Sequence, residues 1–129
     1  DKVHLVPFGE YIPFGQVAGA LGLRSFAARD GYGFSPGDKV RLIDTPLGRA
    51  LPLICYEAIF PGHGRGLDRP DYFLQITNDA WFGTFSGPFQ HLDQARFRAV
   101  EQGVPFLRAA NTGVSAVIEA HRSSVRNDM

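Results

Sequence analysis

The chain has 129 residues, 44% of them hydrophobic and 20% charged, with a single cysteine and a formal net charge of zero. That is enough for one domain with a real core, excludes a disordered chain, and gives nucleic acid no concentrated basic patch. One cysteine excludes an internal disulfide, four scattered histidines show no metal-ligand spacing, and no apolar run is long enough to span a bilayer.

The chain opens on Asp1 with no methionine and no signal peptide, and reads as a piece of a longer protein. Val3 to Val6, broken by His4, predicts the end of a strand. The stretch from Pro7 to Pro13 holds two prolines and a glycine, which makes it a loop carrying one charge, Glu10, among Phe8, Tyr11 and Ile12. A carboxylate in such a loop is either a site group or simply solvated. Val17 to Arg29 has the spacing of a short amphipathic helix weakened by Gly19 and Gly22, and Asp30 to Asp38 is a turn region.

Val40 to Asp44 and Arg49 to Cys55 predict two strands joined by Thr45 to Gly48. Tyr56 to Phe60 begins a short helix, His63 to Pro70 is a glycine-rich loop, and Tyr72 to Thr77 is the next strand, running into Asn78-Asp79-Ala80-Trp81-Phe82-Gly83. Ser86-Gly87-Pro88 opens the clearest helix, with Ser86 as N-cap, an apolar stripe of Leu92, Ala95, Ala99 and Val100, and a stop at Gly103. Val104 to Ala109 and Val114 to Ile118 are two more strands, separated by a turn at Asn111-Thr112-Gly113. Strands ending in polar residues, with few helices, predict α/β or α+β architecture and a sheet that needs cover on both faces.

The apolar run Leu51 to Ile54 delivers Cys55 to the end of a buried strand, where open α/β sheets place chemistry. A free cysteine there is either a nucleophile or a small buried hydrophobe. A nucleophile calls for a cation or base nearby and for donors to an oxyanion. Lys2, Glu10, Glu57 and the backbone N–H of Tyr56 are the candidates, and no histidine is placed by sequence spacing as the partner. Lys2 has the alternative of an exposed lysine near a chain end, and Trp81 that of a core or loop anchor.

The segments Lys2-Val-His-Leu-Val-Pro-Phe-Gly-Glu10-Tyr-Ile-Pro13, Ile54-Cys55-Tyr56-Glu57, Thr77 to Gly83, Gly87-Pro88-Phe89-Gln90-His91 and Arg108 to Ile118 occur in that order. Together they resemble the extracytoplasmic, nitrilase-like domain of the bacterial apolipoprotein N-acyltransferase family, within the carbon-nitrogen hydrolase superfamily, from Lys2 to about Ala120. The resemblance implies an α/β, nitrilase-like αββα sandwich, here a partial domain over residues 1–120, followed by a polar and disordered tail at 121–129. It implies Cys55 as a nucleophile that takes an acyl chain from a phospholipid as a thioester, Lys2 as oxyanion stabiliser, and Glu10 as a second active-site glutamate. Tyr56 and Glu57 would support the nucleophile, and Trp81 would lie near the substrate entrance. The acceptor would be the α-amino group of an S-diacylglyceryl apolipoprotein, with no cofactor, no metal and no nucleic acid. The setting would be the periplasmic side of the inner membrane, with residues 17–26 dipping toward the lipid. The family's general-base glutamate and transmembrane bundle would precede Lys2, so these 129 residues alone are expected to be inactive. The alternatives are a soluble nitrilase-type amidase and a catalytically inactive nitrilase-like binding domain.

Overall fold

The computed structural model describes residues 2–7, 10–11 and 35–120, in two compact units, Asp1–Val40 and Arg41–Met129. The amphipathic segment expected over 17–29 and the tail 121–129 lie outside the described residues.

In the first unit the expected strand at Val3 to Val6 makes no ladder among the described residues. The Val6 carbonyl accepts the N–H groups of Glu10 (2.8 Å) and Tyr11 (3.4 Å), and the Val6 N–H donates to Glu10 Oε2 at 2.8 Å. At Val6 both backbone groups are therefore used to fold the proline-flanked loop back on itself. An isolated parallel bridge joins Pro7 to Tyr11, and Gly37 N–H donates to the Lys2 carbonyl at 2.7 Å.

The second unit is a five-stranded mixed sheet in sequence order. Strands β1 (Ile43–Thr45) and β2 (Gly48–Ile54) form the expected hairpin. Thr45 closes it by donating from Oγ1 to the Gly48 carbonyl at 2.7 Å. β1 ends opposite Ala50, so Pro52 falls beyond the hairpin, where β2 has only β3 beside it and the missing N–H is tolerated. β3 (Tyr72–Thr77) and β4 (Phe106–Ala110) run parallel to β2, and β5 (Ala116–Ile118) returns antiparallel on β4. The three parallel strands thus bring their carboxyl ends, and the residues that follow them, to one edge of the sheet.

The crossover from β3 to β4 is α1 (Gly87–Gln102). Proline in its first turn and Gly103 in the left-handed region (φ 63°) at its end mark the two boundaries. Ser86 holds the N-cap position, yet its side chain makes no capping hydrogen bond. The buried stripe is Pro88, His91, Leu92, Ala95 and Ala99, not the expected Leu92, Ala95, Ala99 and Val100, because Val100 is 46% exposed and His91 turns inward. That stripe covers Leu51, Leu53, Phe73 and Phe106 on one sheet face, where the Phe73 and Phe106 rings meet at 5.6 Å. On the opposite face Ala50 and Tyr72 are buried while Ile76 and Val117 remain exposed.

Candidate active site

Cys55 is the first residue after β2 and opens a 3-10 helix, Cys55–Ile59. Among the described non-glycine residues, Cys55 alone has a positive φ, 56°. A side chain in that region is disfavoured by about 1–2 kcal/mol, and such strain persists only where surrounding contacts enforce it. The chain passes from strand to helix within one residue, which lifts a half-exposed thiol off the end of the sheet.

The enforcing contacts come from both sides of the residue. Ahead of it, Glu57 is 1% exposed and accepts the Ile54 N–H at 2.8 Å, the return half of a capping box whose other half isoleucine cannot supply. Behind it, the Cys55 carbonyl accepts Gln75 Nε2–H at 2.6 Å. Gln75 is fully buried in β3 and lies directly opposite Arg108 in the β3–β4 register.

Arg108 anchors a buried polar cluster. Its Nη1 donates to Gln75 Oε1 at 2.5 Å, its Nη2 to Asp79 Oδ2 at 2.5 Å, and its Nε to the Val114 carbonyl at 3.1 Å. Asp79 Oδ1 also accepts Thr77 Oγ1–H at 3.0 Å and faces His91 Nδ1 at 2.8 Å. His91 Nε2 lies 3.2 Å from Gln75 Nε2 and 3.3 Å from the Cys55 carbonyl oxygen. Asp79 Oδ1, the nearest polar atom, takes the His91 Nδ1–H, and Nε2 packs against both the Gln75 amide nitrogen and the Cys55 carbonyl oxygen. The Phe82 ring packs edge-on against His91, with centroids 5.2 Å apart.

A histidine therefore does reach the cysteine, at its backbone carbonyl oxygen. Sequence reasoning missed Gln75, Asp79, His91 and Arg108 as a set. Their signals were a lone polar residue inside an apolar strand and three charged or polar side chains within the quoted motifs.

Close approach of the β4–β5 turn completes the cluster. Gly113 has φ +104°, and a Cβ there would stand 2.5 Å from Asp79 Oδ2 and 2.9 Å from Asp79 Cβ. Gly113→Ala is expected to lower stability by about 2–3 kcal/mol, from the strained backbone and the displaced carboxylate. A melting temperature equal to that of the parent would contradict this.

The first unit holds Lys2 and Glu10 as one device. Lys2 Nζ contacts both carboxylate oxygens of Glu10, at 2.7 and 2.6 Å, with side chains only 9% and 21% exposed. The pair borders a cleft of about 430 Å³ with Leu5, Ser35, Pro36, Gly37 and Asp38. Glu10, itself fixed by the Val6 N–H, gives the ammonium one position. Trp81 lies in the 3-10 helix Asp79–Phe82 and is 57% exposed, which excludes a core role.

A parallel-stranded α/β sheet with a cysteine in the left-handed region at the carboxyl end of a strand, held through its flanking peptide groups, is a geometry suited to presenting a nucleophile. The carbon-nitrogen hydrolase profile matches residues 1–126, and the chain belongs to that family. Among curated relatives, the apolipoprotein N-acyltransferase of Rhizobium rhizogenes is 53% identical over 123 residues, 94% of this chain and 23% of that protein. That of Rhizobium meliloti is 54% identical over 122 residues, 93% of this chain and 23% of that protein. The chain thus spans about 23% of the length of these relatives. The NitN amidase from Nesterenkonia sp. AN1 shares the fold, with a TM-score of 0.55 and 22% identity over 92% of this chain and 42% of that one. A glutamate-to-glutamine mutant of the amidase from the same organism carries the acetamide moiety of fluoroacetamide on its active-site cysteine. It gives a TM-score of 0.52 at 24% identity, covering 69% of this chain and 37% of that one. The fold is thus the α/β nitrilase type, seen here as part of a domain. Among the described residues no helix is long and apolar enough to cross a membrane.

Proposed function

We propose that this chain is the nucleophile-bearing part of an apolipoprotein N-acyltransferase, with Cys55 carrying the acyl group. The observation that carries the reading is Cys55 at φ 56° on a strand-to-helix turn, pinned by Glu57 ahead and Gln75 behind. The relatives' names support the choice of acyltransferase over amidase.

In the first half-reaction the Cys55 thiolate attacks the ester carbonyl of a phospholipid. The C–S bond forms while the carbonyl π pair moves onto oxygen, and collapse of that oxyanion expels the lysophospholipid alkoxide, which takes up a proton. In the second, the neutral α-amino group of an S-diacylglyceryl apolipoprotein attacks the thioester, gives up a proton to the general base, and an amide forms as the thiolate leaves. Each half passes through an oxyanion. The family resemblance assigns the Lys2 ammonium and the Tyr56 N–H as its stabilisers, and a glutamate as the base that takes the proton from the thiol. Tyr56 and Glu57 support the turn, and the exposed Trp81 contacts substrate. The setting is a membrane whose lipid supplies the donor, on the periplasmic face.

The test uses the chain at the full length of its relatives, reconstituted with phospholipid and read by intact mass. A fatty-acyl increment on Cys55, released by hydroxylamine, is the expected result, and Lys2→Ala should lower its rate of formation about 100-fold or more. A chain that gains no adduct from phospholipid but hydrolyses a small amide would replace the acyltransferase reading by an amidase.

A further inference from the structure

We infer that Gln75 is a positioning residue for the oxyanion donor of Cys55, and that Arg108, Asp79 and His91 exist in the core to set the direction in which its amide points. The inference rests on the reading of Cys55 as a nucleophile that forms an acyl-enzyme.

The peptide joining Cys55 to Tyr56 is planar and trans, so its C=O and N–H point in opposite directions. Holding the Cys55 carbonyl oxygen on the core side, at 2.6 Å from Gln75 Nε2, aims the Tyr56 N–H away from the core. At a strained φ the peptide plane would otherwise be free to relax, and a turned plane presents a carbonyl where an oxyanion needs a donor. The amide of Gln75 is itself directional. A primary amide has an accepting and a donating end of nearly equal size, and only its partners decide which faces the cysteine.

Arg108 decides it. A guanidinium only donates, so its Nη1, 2.5 Å away, requires the oxygen end of Gln75. The NH2 end must then face the Cys55 carbonyl. His91, held by its Nδ1–H to Asp79 Oδ1 at 2.8 Å, sets its Nε2 3.2 Å from the same amide nitrogen and 3.3 Å from the Cys55 carbonyl oxygen. Asp79 in turn is fixed by Arg108 Nη2 at 2.5 Å and Thr77 Oγ1 at 3.0 Å. Among the described residues no buried side-chain nitrogen or oxygen is left without a partner. A cluster needed only for stability would not have to converge on the backbone of the nucleophile.

The experiment compares two reactions of Cys55 in the full-length chain. Acylation by a p-nitrophenyl ester passes through an oxyanion: thiolate adds to the carbonyl carbon, the oxyanion collapses and p-nitrophenolate leaves. Alkylation by iodoacetamide displaces iodide directly and forms no oxyanion. Gln75→Glu keeps an oxygen for Arg108 but sets an acceptor against the Cys55 carbonyl, so the peptide plane turns. The expected result is an acylation rate about 100-fold lower, with alkylation within roughly threefold of the parent, a difference smaller than one ordinary hydrogen bond is worth. His91→Asn keeps a donor for Asp79 and removes the ring nitrogen that packs against the Gln75 amide and the Cys55 carbonyl, and should lower acylation roughly tenfold. It decides the matter alone if Gln75→Glu does not fold. Unchanged acylation in a folded variant, an equal fall in both rates, or a parent whose Cys55 resists the ester would each overturn the inference. Acylation of the parent by the ester but not by phospholipid would leave the inference standing and remove the proposed acyl donor.

Discussion

Cys55→Ala, made in the full-length chain, is expected to abolish the hydroxylamine-labile adduct and to lower acyl transfer by about a millionfold, as loss of a nucleophile does in other covalent enzymes. The residual reaction cannot proceed by a thioester, so two bulky lipids would have to react in one step, without the stored intermediate that lets them bind in turn. Transfer that persists within tenfold of the parent would remove Cys55 as the acyl carrier. The same position offers a test of the strained turn that is independent of activity. Alanine keeps the Cβ that the left-handed conformation disfavours by about 1–2 kcal/mol, whereas glycine does not. Glycine's extra unfolded-state entropy costs only about 0.5–1 kcal/mol. Cys55→Gly is therefore expected to be the more stable variant, by about 1 kcal/mol, in chemical denaturation. An alanine variant as stable as the glycine variant would show that φ 56° is not a strained conformation here.

Arg108→Met carries the second large expectation, a loss of about 3–5 kcal/mol of stability. Both side chains of the Arg108–Asp79 pair are fully buried, and the guanidinium also satisfies Gln75 Oε1 and the Val114 carbonyl. Methionine keeps only the apolar stem of arginine and leaves a buried carboxylate with only a histidine and a threonine as donors. It also strands two oxygens, and an unsatisfied buried acceptor costs about 1–3 kcal/mol. Removing the charge as well changes the balance. The double variant Arg108→Met, Asp79→Asn should be less destabilised than the sum of its single changes, because the uncompensated charge is then gone. Denaturant melts of the four species measure that coupling. A single Arg108→Met within about 1 kcal/mol of the parent would mean that the cluster is not the closed network the distances describe.

Much of the scaffold is legible in local signals. The β1–β2 hairpin, the strand at Tyr72 to Thr77, the helix ending at Gly103 and a turn after Cys55 all follow from them. The signals are an apolar run of strand length, proline and glycine punctuation, and helical spacing. The departures are of one kind. Val3 to Val6 reads as a strand because its composition is extended, but no ladder forms there among the described residues, and at Val6 the Glu10 loop takes both backbone groups. Hydropathy puts Val100 in the buried stripe and leaves His91 out, because it ranks valine as the core residue. The helix instead turns His91 toward Asp79, where its polar atoms are satisfied.

By itself, then, the sequence determined to within a residue where the strands end, that Cys55 stands at the end of β2, and which motifs accompany it. Each of these is a matter of neighbours along the chain. The tertiary structure alone decided the sign of φ at Cys55 and the direction of the peptide after it. Those depend on Gln75, 20 residues away, and on Arg108, 33 residues beyond Gln75, meeting in register across two strands. A hydrogen-bond cluster of this kind has no sequence period, since its members sit on a strand, a turn, a helix and another strand. Only when the sheet pairs do four ordinary polar residues become a clamp on the backbone of the cysteine.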